Sequence, residues 1–424
     1  MKRQVRALSK TQTLGSVCDR LSSGKSIRAS EVKPVGAFPV IGGNGVRGYT
    51  DTYNFDGECA VIGRQGAACG NVRFHSGKAY MTEHAVVAVA NESNNSQYLS
   101  YLLKTMRLGN LSGQSAQPGL SVKVLSQQAV SLPSLDSQRQ AVAILGTLDR
   151  KIELNNRLNG YLAALGETMA NRCSNETDGT LDDICSQSKE TVSLEAAQLE
   201  TYVSTENLLP NKAGLQLSAG LPTSGKVTRY RKGDTLVANI RPYFKKIWYA
   251  TDEGTCSGDV IVFRANDARY APHVFFSLCR DEFFEYVMLG AKGTKMPRGD
   301  KKQMMTFPIC TNCNSTDLQL LQELASTIGT NHAENRQLAR LRDTLLPKLM
   351  SGEIDVSKVD LTQLNSHLAD KLHRFAKEPS IVSSAQFVAQ CVANWQGQAE
   401  MMNRTYAIQV RTPISRGKTS GSAY

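Results

Sequence analysis

Two long amphipathic segments of the chain repeat one another at a distance of 180 residues. Apolar periodicity predicts the first helix over residues 136–169 and the second over residues 317–350. The shift lays three pairs of residues on each other: Asn155 on Asn335, Leu158 on Leu338 and Leu165 on Leu345. A glycine-rich, strand-like segment precedes each helix, so the chain repeats one module with its own helical spacer. This duplication suggests contact with two similar targets at a fixed separation.

Changes of pattern divide the chain into five segments. They are domain 1 (residues 1–135), a first spacer helix (136–172), domain 2 (173–312), a second spacer helix (313–352) and a tail (353–424) that matches nothing in the repeat. Each domain combines short strands and tight turns with a helix, predicted at Ser96–Leu108 in domain 1 and at His273–Leu289 in domain 2. The predicted fold class is α+β, with two pseudo-symmetric domains joined by two long antiparallel coiled-coil helices.

The spacer helices fit a heptad pattern. Asn155 and Asn335 fall at a positions, and the d positions include Leu158, Leu165, Leu338 and Leu345. The first helix leaves domain 1 for domain 2, so the second, packed on the first, runs back towards domain 1. Asp136 is the predicted N-cap of the first helix, and each helix would span about 50 Å. The alternative is that both helices belong to one ordinary core.

Charge favours a polyanionic partner. The chain carries a formal charge of +11 and a pI near 9.1, which indicates nucleic acid first and an anionic membrane surface second. No apolar run is long enough to span a bilayer, and the basic start lacks the apolar stretch of a secretory signal. The ten cysteines are scattered, which is typical of reduced thiols in a cytoplasmic protein.

Two glycine-rich loops in domain 1 are candidate DNA contacts. Gly42–Gly48 contains Asn44 and Arg47, and Ile62–Asn71 contains Arg64, Gln65 and Asn71. Glycines let the backbone approach a ligand closely, and Arg, Gln and Asn side chains match base edges. Gly43, Gly45 and Gly48 also spell G-x-G-x-x-G, but turn and strand residues follow where a dinucleotide site needs a helix. A surface turn with a structural arginine is the alternative for the second loop.

Domain 2 has its own candidates. Arg241, Lys245 and Lys246 alternate with aromatic residues, as in nucleic-acid surfaces or a plain amphipathic strand. The basic loop Ala291–Lys302 contributes Thr294, Lys295 and Arg298. Its counterpart in domain 1, Gly113–Ser121, contributes Gln114. Recurrence of this loop in both copies favours function, although a shared turn would also explain it.

Signals for catalysis or metal binding are weak. Asp19 with Glu31 and Lys33 mimics a nuclease motif without its strand context, and Cys310–Cys313 is a C-x-x-C without a second pair. No phosphate-binding loop, nucleophile elbow or amino-methyltransferase motif occurs. We therefore predict a binding protein with no catalytic residue, no metal and no cofactor of its own.

The motifs together resemble the DNA specificity subunit of type I restriction-modification systems over about residues 12–358. The resemblance rests on GGNGVRGYTD, IGRQGAACGNV and TEHAVV in domain 1, on GDTLVANIRPYFKKIW, CSGDVIVFR and KGTKMPRGD in domain 2, and on the closing LPKLMSGEIDVSKV. It implies two target-recognition domains, each reading one half of a bipartite site in double-stranded DNA. The tail after about Val359 departs from the family pattern.

The resemblance also implies partners. Two methyltransferase (modification) subunits would dock on the spacer helices and methylate adenine after flipping it from the duplex. Endonuclease/translocase subunits would join for restriction, and S-adenosylmethionine, Mg and ATP would be bound by these partners. A stand-alone DNA-binding or DNA-bridging protein is the second hypothesis, and a nuclease using Asp19, Glu31 and Lys33 is the third.

Overall fold

A computed structural model describes residues 11–112, 119–172 and 178–354. All of these residues belong to one compact unit, Met1–Ser357. The predicted tail, apart from its first two residues, and Gln114 lie outside the described residues. No helix in the described ranges is long and apolar enough to cross a membrane.

Domain 1 is built on two sheets. The four-stranded antiparallel sheet has the order β2 (Cys18–Ser23), β8 (Ala85–Ala90), β5 (Glu58–Gly63), β6 (Val72–Ser76), and the three-stranded sheet has the order β4 (Gly45–Thr50), β3 (Phe38–Gly42), β7 (Tyr80–Met81). Helix α1 (Ser96–Thr105) packs on the larger sheet, and α2 (Val122–Ser126) follows it in the chain. The buried side chains of β5 and β8 form the core because both faces of these strands are covered.

Domain 2 repeats this plan. Its first sheet has the order β11 (Cys185–Gln187), β18 (Val260–Ala265), β15 (Thr235–Ala238), β16 (Ile247–Tyr249), and its second has the order β12 (Thr191–Ser193), β14 (Lys226–Tyr230), β17 (Gly254–Cys256), β13 (Tyr202–Val203). The helices are α4 (Leu181–Ile184), α5 (Ala271–Cys279), α6 (Asp281–Leu289) and α7 (Lys301–Met305). The first sheets of the two domains match strand for strand, and each second sheet contains one parallel pair.

A short strand pair closes each domain just before its spacer helix. In domain 1, β1 (Thr11–Thr13) pairs with β9 (Ala129–Ser131), and in domain 2, β10 (Gly179–Thr180) pairs with β19 (Pro308–Ile309). Chain entry and chain exit are therefore adjacent in both domains.

The helix that was predicted at His273–Leu289 is interrupted. Arg280 has an extended backbone (φ −59°, ψ 142°), so α5 ends at Cys279 and α6 begins at Asp281. The single-helix prediction is wrong here because apolar periodicity continues across a residue whose backbone turns out of the helix. In domain 1, α1 ends at Thr105, close to the predicted end.

The first spacer helix, α3, runs over Leu135–Arg172 and has 38 residues. Ser134 caps it: the Ser134 hydroxyl accepts a hydrogen bond from Ser137 N at 3.3 Å, and its carbonyl accepts one from Gln138 N at 2.9 Å. The prediction of Asp136 as the N-cap is wrong. That residue lies in the first helical turn, where its negative charge still suits the exposed amide groups.

The second spacer helix, α8, runs over Ser315–Met350 and has 36 residues. Asn314 caps it by accepting from Asp317 N at 2.9 Å. At 1.5 Å a residue, α3 and α8 each extend about 55 Å.

Cross-helix contacts give the direction of the pair. Three contacts join residues whose numbers rise in α3 as they fall in α8: Arg342 Nη1 donates to Asp149 at 3.0 Å, Asn155 Nδ2 to Asn335 at 2.9 Å, and Asn331 Nδ2 to Asn159 at 2.7 Å. The helices are therefore antiparallel. The predicted fold class, α+β with two similar domains on a long antiparallel helix pair, is confirmed.

Each domain packs at a different place on α3. In domain 1, the Tyr101 hydroxyl of α1 donates to Asp149 at 2.6 Å. In domain 2, Lys212 Nζ lies 2.8 Å from Glu167, and a Cβ on the neighbouring Gly166 would collide with the ring of Phe276 in α5. The two packing points are separated by roughly 18 residues, or about 27 Å of helix.

Candidate nucleic-acid interface

The glycine-rich segment of domain 1 is a β-hairpin. Gly43 and Asn44 form the turn between β3 and β4, and no helix follows them, which argues against a dinucleotide site. Asn44 and Arg47 are exposed on this hairpin. A Cβ at Gly43 would lie 2.9 Å from the carbonyl oxygen of His84 and 3.1 Å from Gly63 Cα. Glycine therefore allows the hairpin to pack against the two neighbouring loops.

The second predicted loop meets the first at this end of the domain. Arg64 N donates to the His84 carbonyl at 3.0 Å, and Arg64 Nη1 lies 3.5 Å from the Ser23 hydroxyl. The Gln65 side chain bonds to His84 Nδ1 at 3.1 Å. Asn71 is exposed, and its carbonyl accepts from Gly63 N at 2.8 Å. Loops from three separate parts of the sequence thus place Asn, Arg and Gln side chains on one surface.

Domain 2 also brings its two motifs together. Arg241 adopts a left-handed backbone (φ 53°), and its amide donates to the Pro297 carbonyl at 2.8 Å. Bridges from Arg298 to Ile240 and to Lys292 fold the basic loop into a small hairpin beside Arg241. Thr294 and Lys295 are exposed on that hairpin.

Several cations of domain 2 are engaged inside the protein. Lys245 Nζ lies 2.7 Å from Asp281, Lys246 Nζ donates to the Thr205 carbonyl, and Arg298 lies 3.2 Å from Asp259. Burial lowers the pKa of Lys246. A phosphate would have to compete with these internal contacts, and the DNA-binding roles of the three residues stay predictions.

The sequence motifs do not single out Arg73, which the fold places near the hairpin. Arg73 lies on β6, and its guanidinium carbon is 3.4 Å from the position of a Cβ on Gly45. A single arginine within a strand gives no signal in the sequence. Only the pairing of β5 with β6 brings it beside the loops.

Asparagines occupy the middle of the helix pair. Asn155 is 3% exposed, and its amide donates to Glu334 at 2.8 Å as well as to Asn335. Asn335 in turn donates to Asn156 at 2.8 Å. These contacts tie one register of the pair together, because a shift of either helix would leave buried amides without partners.

The strict heptad assignment is wrong for Leu158, which is 39% exposed, while Asn159 is buried. Buried residues of α3 follow at spacings of four, three, four and four: Asn155, Asn159, Leu162, Gly166 and Ala170. This period is close to that of a straight helix, and the buried face turns from α8 towards α5. Leu165, Leu338 and Leu345 are half-buried.

An apolar face of the helix pair is open to solvent. Leu154, Leu158 and Tyr161 are 52%, 39% and 45% exposed and lie one helical turn apart on α3. On α8, Leu341 is 48% exposed, and the sequence repeat lays it on Tyr161. Exposed apolar rows of this kind mark contact surfaces for other proteins.

The candidate catalytic and metal residues have local structural partners. Lys33 Nζ lies 2.6 Å from Asp51, and Glu31 accepts from Arg28 N at 3.1 Å. In the part of the chain that the structure describes, no group of three or more His, Cys, Asp or Glu residues could hold a metal ion. Cys313 is disulfide-bonded, so the expectation of reduced thiols throughout is wrong for this residue.

The first part of the chain resembles a known protein family. A family model described as "Type I restriction modification DNA specificity domain" matches residues 8–163. Over these residues the chain is similar to that family. The match covers most of domain 1 and the larger part of α3, so the predicted resemblance is confirmed.

Two individual proteins that resemble this chain in sequence are also type I specificity subunits. The chain is 38% identical over 144 residues to the EcoprrI type I restriction enzyme specificity subunit of Escherichia coli, covering 33% of this chain and 36% of that protein. It is 26% identical over 159 residues to a putative type I specificity subunit of Mycoplasma pneumoniae, covering 36% and 42%. The matched segments thus span about two fifths of these relatives' own length or less.

A solved structure extends the likeness to the whole fold. The type I restriction-modification S subunit from M. genitalium aligns with 82% of this chain and 98% of its own, with a TM-score of 0.51 and 15% identity. At this identity the likeness shows the fold alone.

Proposed function

We propose that this chain is the DNA specificity subunit of a type I restriction-modification complex and carries no catalytic residue of its own. Each domain would read one half of a bipartite site in double-stranded DNA. The observation that carries the proposal is the repeat itself: two domains with matching first sheets, attached at different points to one antiparallel helix pair.

The loop surface of domain 1 supports a role in reading bases. Asn44 and Arg47 are exposed on the hairpin, and Arg64 and Gln65 lie on the adjoining loop. Arg pairs with guanine edges, and Asn and Gln pair with adenine edges. In domain 2 the corresponding proposal rests on Arg241 and on the exposed Thr294 and Lys295.

The helix pair supports a role as a spacer. The packing points of the two domains on α3 are about 27 Å apart, and the domains extend beyond them. One turn of duplex DNA measures about 34–36 Å, so each domain would reach its own half-site on neighbouring turns. The asparagine contacts hold this separation constant because they select one register.

The exposed apolar row on α3 and the exposed Leu341 on α8 support docking of two methyltransferase subunits. The sequence repeat lays the exposed Leu341 of α8 on Tyr161 of the α3 row, so the same partner surface would meet this chain twice, once on each helix. The partners would supply the chemistry: S-adenosylmethionine for methylation of a flipped adenine, and Mg and ATP for the endonuclease/translocase subunits. Because its DNA target and these partners act there, we propose a cytoplasmic location.

The deciding experiment is a methylome. The full chain is co-expressed with the modification subunit encoded nearest to it, in a host without other adenine methylation, and methyladenine is mapped by single-molecule sequencing. The expected result is a split motif that disappears when this chain is omitted. Absence of new methylation, together with binding of DNA by the purified chain, would instead support a stand-alone DNA-binding protein.

A further inference from the structure

Domain 1 contains a cavity of about 610 Å³ where the turn before β6 meets the end of α1. Its polar lining consists of Asn71 and Arg73 on one side and Lys104, Arg107 and Asn110 on the other. Between these sides two glycines touch: a Cβ on Gly70, which has φ +82°, would collide with the backbone nitrogen of Gly109. This close backbone approach brings the two groups of polar side chains around one space.

The cavity has three cations and no acidic lining residue. Within the described ranges, Arg73, Lys104 and Arg107 form no ion pair, although Lys104 lies over the ring of Tyr101. Arg107 also adopts a left-handed backbone (φ 49°), a conformation that disfavours residues other than glycine. Positive charge is therefore concentrated here, with no acidic residue in the lining of the cavity.

The surroundings of Lys104 reflect this concentration. Desolvation lowers the pKa of its ammonium, the charges of Arg342 and Arg73 act in the same direction, and Asp343 opposes them together with the carboxylate of Asp149. That carboxylate is already bonded to Arg342 and to the Tyr101 hydroxyl. An anion in the cavity would meet cations that repel one another without it.

Domain 2 lacks this arrangement at the equivalent place. In domain 1, Arg73 of β6 lies opposite Val61 of β5. In the matching strand pair of domain 2, β16 and β15, the position of Arg73 is taken by Trp248, which is 2% exposed and lies opposite Leu236. After α5, the chain continues into α6, where Asp281 pairs with both Lys212 and Lys245. A cluster of cations at this place of the fold is therefore found in domain 1 and not at the equivalent place of domain 2 among the described residues.

We propose that this cavity binds a backbone phosphate of duplex DNA and anchors the duplex to domain 1 independently of base sequence. This inference rests on the proposed function. Its location favours DNA over a free anion: Asn71 contacts Gly63 at the start of the Arg64 loop, and Arg73 lies beside the hairpin that carries Asn44 and Arg47. A duplex contacting those loops would bring its phosphates over the cavity. This phosphate contact would then be made at the half-site that domain 1 reads.

The test measures DNA affinity of the full chain, in the complex obtained from the methylome experiment, as a function of salt. The variant R73Q/R107Q removes two cavity charges, and R139Q/R269Q removes two exposed arginine charges outside the cavity as a matched control. Each phosphate contact contributes roughly 0.9 to the slope of log K against log salt, so we expect the slope of R73Q/R107Q to be shallower by about 1. The control should keep the wild-type slope.

Two further variants distinguish the effect of the cavity charge on DNA affinity from an effect of misfolding. R73K/R107K keeps both charges and should keep most of the slope, whereas N110D places a carboxylate at the cavity and should weaken binding. Circular dichroism and thermal unfolding check that each variant folds. The methylated motif should be unchanged in all of them, because the cavity reads no bases.

Equal slopes of log K against log salt for wild type, R73Q/R107Q and R139Q/R269Q would contradict a phosphate contact in the cavity. Equal slopes together with a phosphate-dependent rise in melting temperature, present in the wild type and absent in R73Q/R107Q, would assign the cavity to free phosphate instead. Failure of the proposed function looks different: the wild-type complex itself would then methylate no split site.

Discussion

The amide of Asn155 has two acceptors on the facing helix, Glu334 and Asn335. Replacement by alanine would remove the buried donor of both hydrogen bonds, so we expect Asn155→Ala to lower the free energy of unfolding by about 1–3 kcal/mol. Urea unfolding of Asn155→Ala, Asn335→Ala and the double variant measures the coupling between the two residues. Strictly additive losses would contradict a shared contact, and Gln337→Ala on the exposed side of α8 is the control.

At the same scale, His332 makes folding sensitive to acid. It is 8% exposed and packs against Gly214, and burial, assisted by Arg336, lowers its pKa to about 4. The unfolded chain, with a histidine pKa near 6.5, then binds the proton first. Stability from this group is therefore complete above about pH 6.5 and decreases as pH falls to about 4, by roughly 3 kcal/mol in total.

Urea unfolding between pH 7 and pH 4 checks this prediction. His332→Gln cannot titrate, so its stability should depend less steeply on pH than that of the wild type, whatever its stability at neutral pH. Parallel curves for the two proteins would rule out a contribution from His332.

At the scale of the elements, Leu158 separates the two faces of α3. Because it is 39% exposed, Leu158→Asp should leave the melting temperature nearly unchanged but abolish co-purification of the methyltransferase subunit. Leu162 is 4% exposed, so Leu162→Asp should unfold the helix pair. Leu158→Pro should lose both fold and complex, since a proline inside a helix costs about 3 kcal/mol or more. Retained co-purification in Leu158→Asp would argue against docking on this face.

The elements also show where sequence patterns stop being informative. Apolar periodicity predicts both spacer helices, because each follows its period over more than 30 residues. The same periodicity misses the break at Arg280 and misplaces Leu158, since a heptad frame assumes a single partner helix. Here α5 of domain 2 shares the buried face of α3 with α8.

At the scale of the whole molecule, the closing strand pairs bring the two ends of each domain together. We expect that exchanging residues 175–310 for those of a relative changes only one half of the methylated motif, because the ends of this segment lie together at β10 and β19. Single-molecule methylation mapping of the chimaera measures both halves. A change in both halves would contradict independent reading by the two domains.

The sequence by itself determined the duplicated plan, the two spacer helices and the glycine-rich loops, because repeats, periodicity and glycine spacing are properties of neighbouring residues. Only the tertiary structure decided which cations are available. Lys245 and Arg298 stand out in the sequence, yet Asp281 and Asp259 pair with them; Arg73 and Arg107 are inconspicuous, yet they lie unpaired around one cavity. Ion pairing depends on distances between residues far apart in the chain, which folding alone establishes.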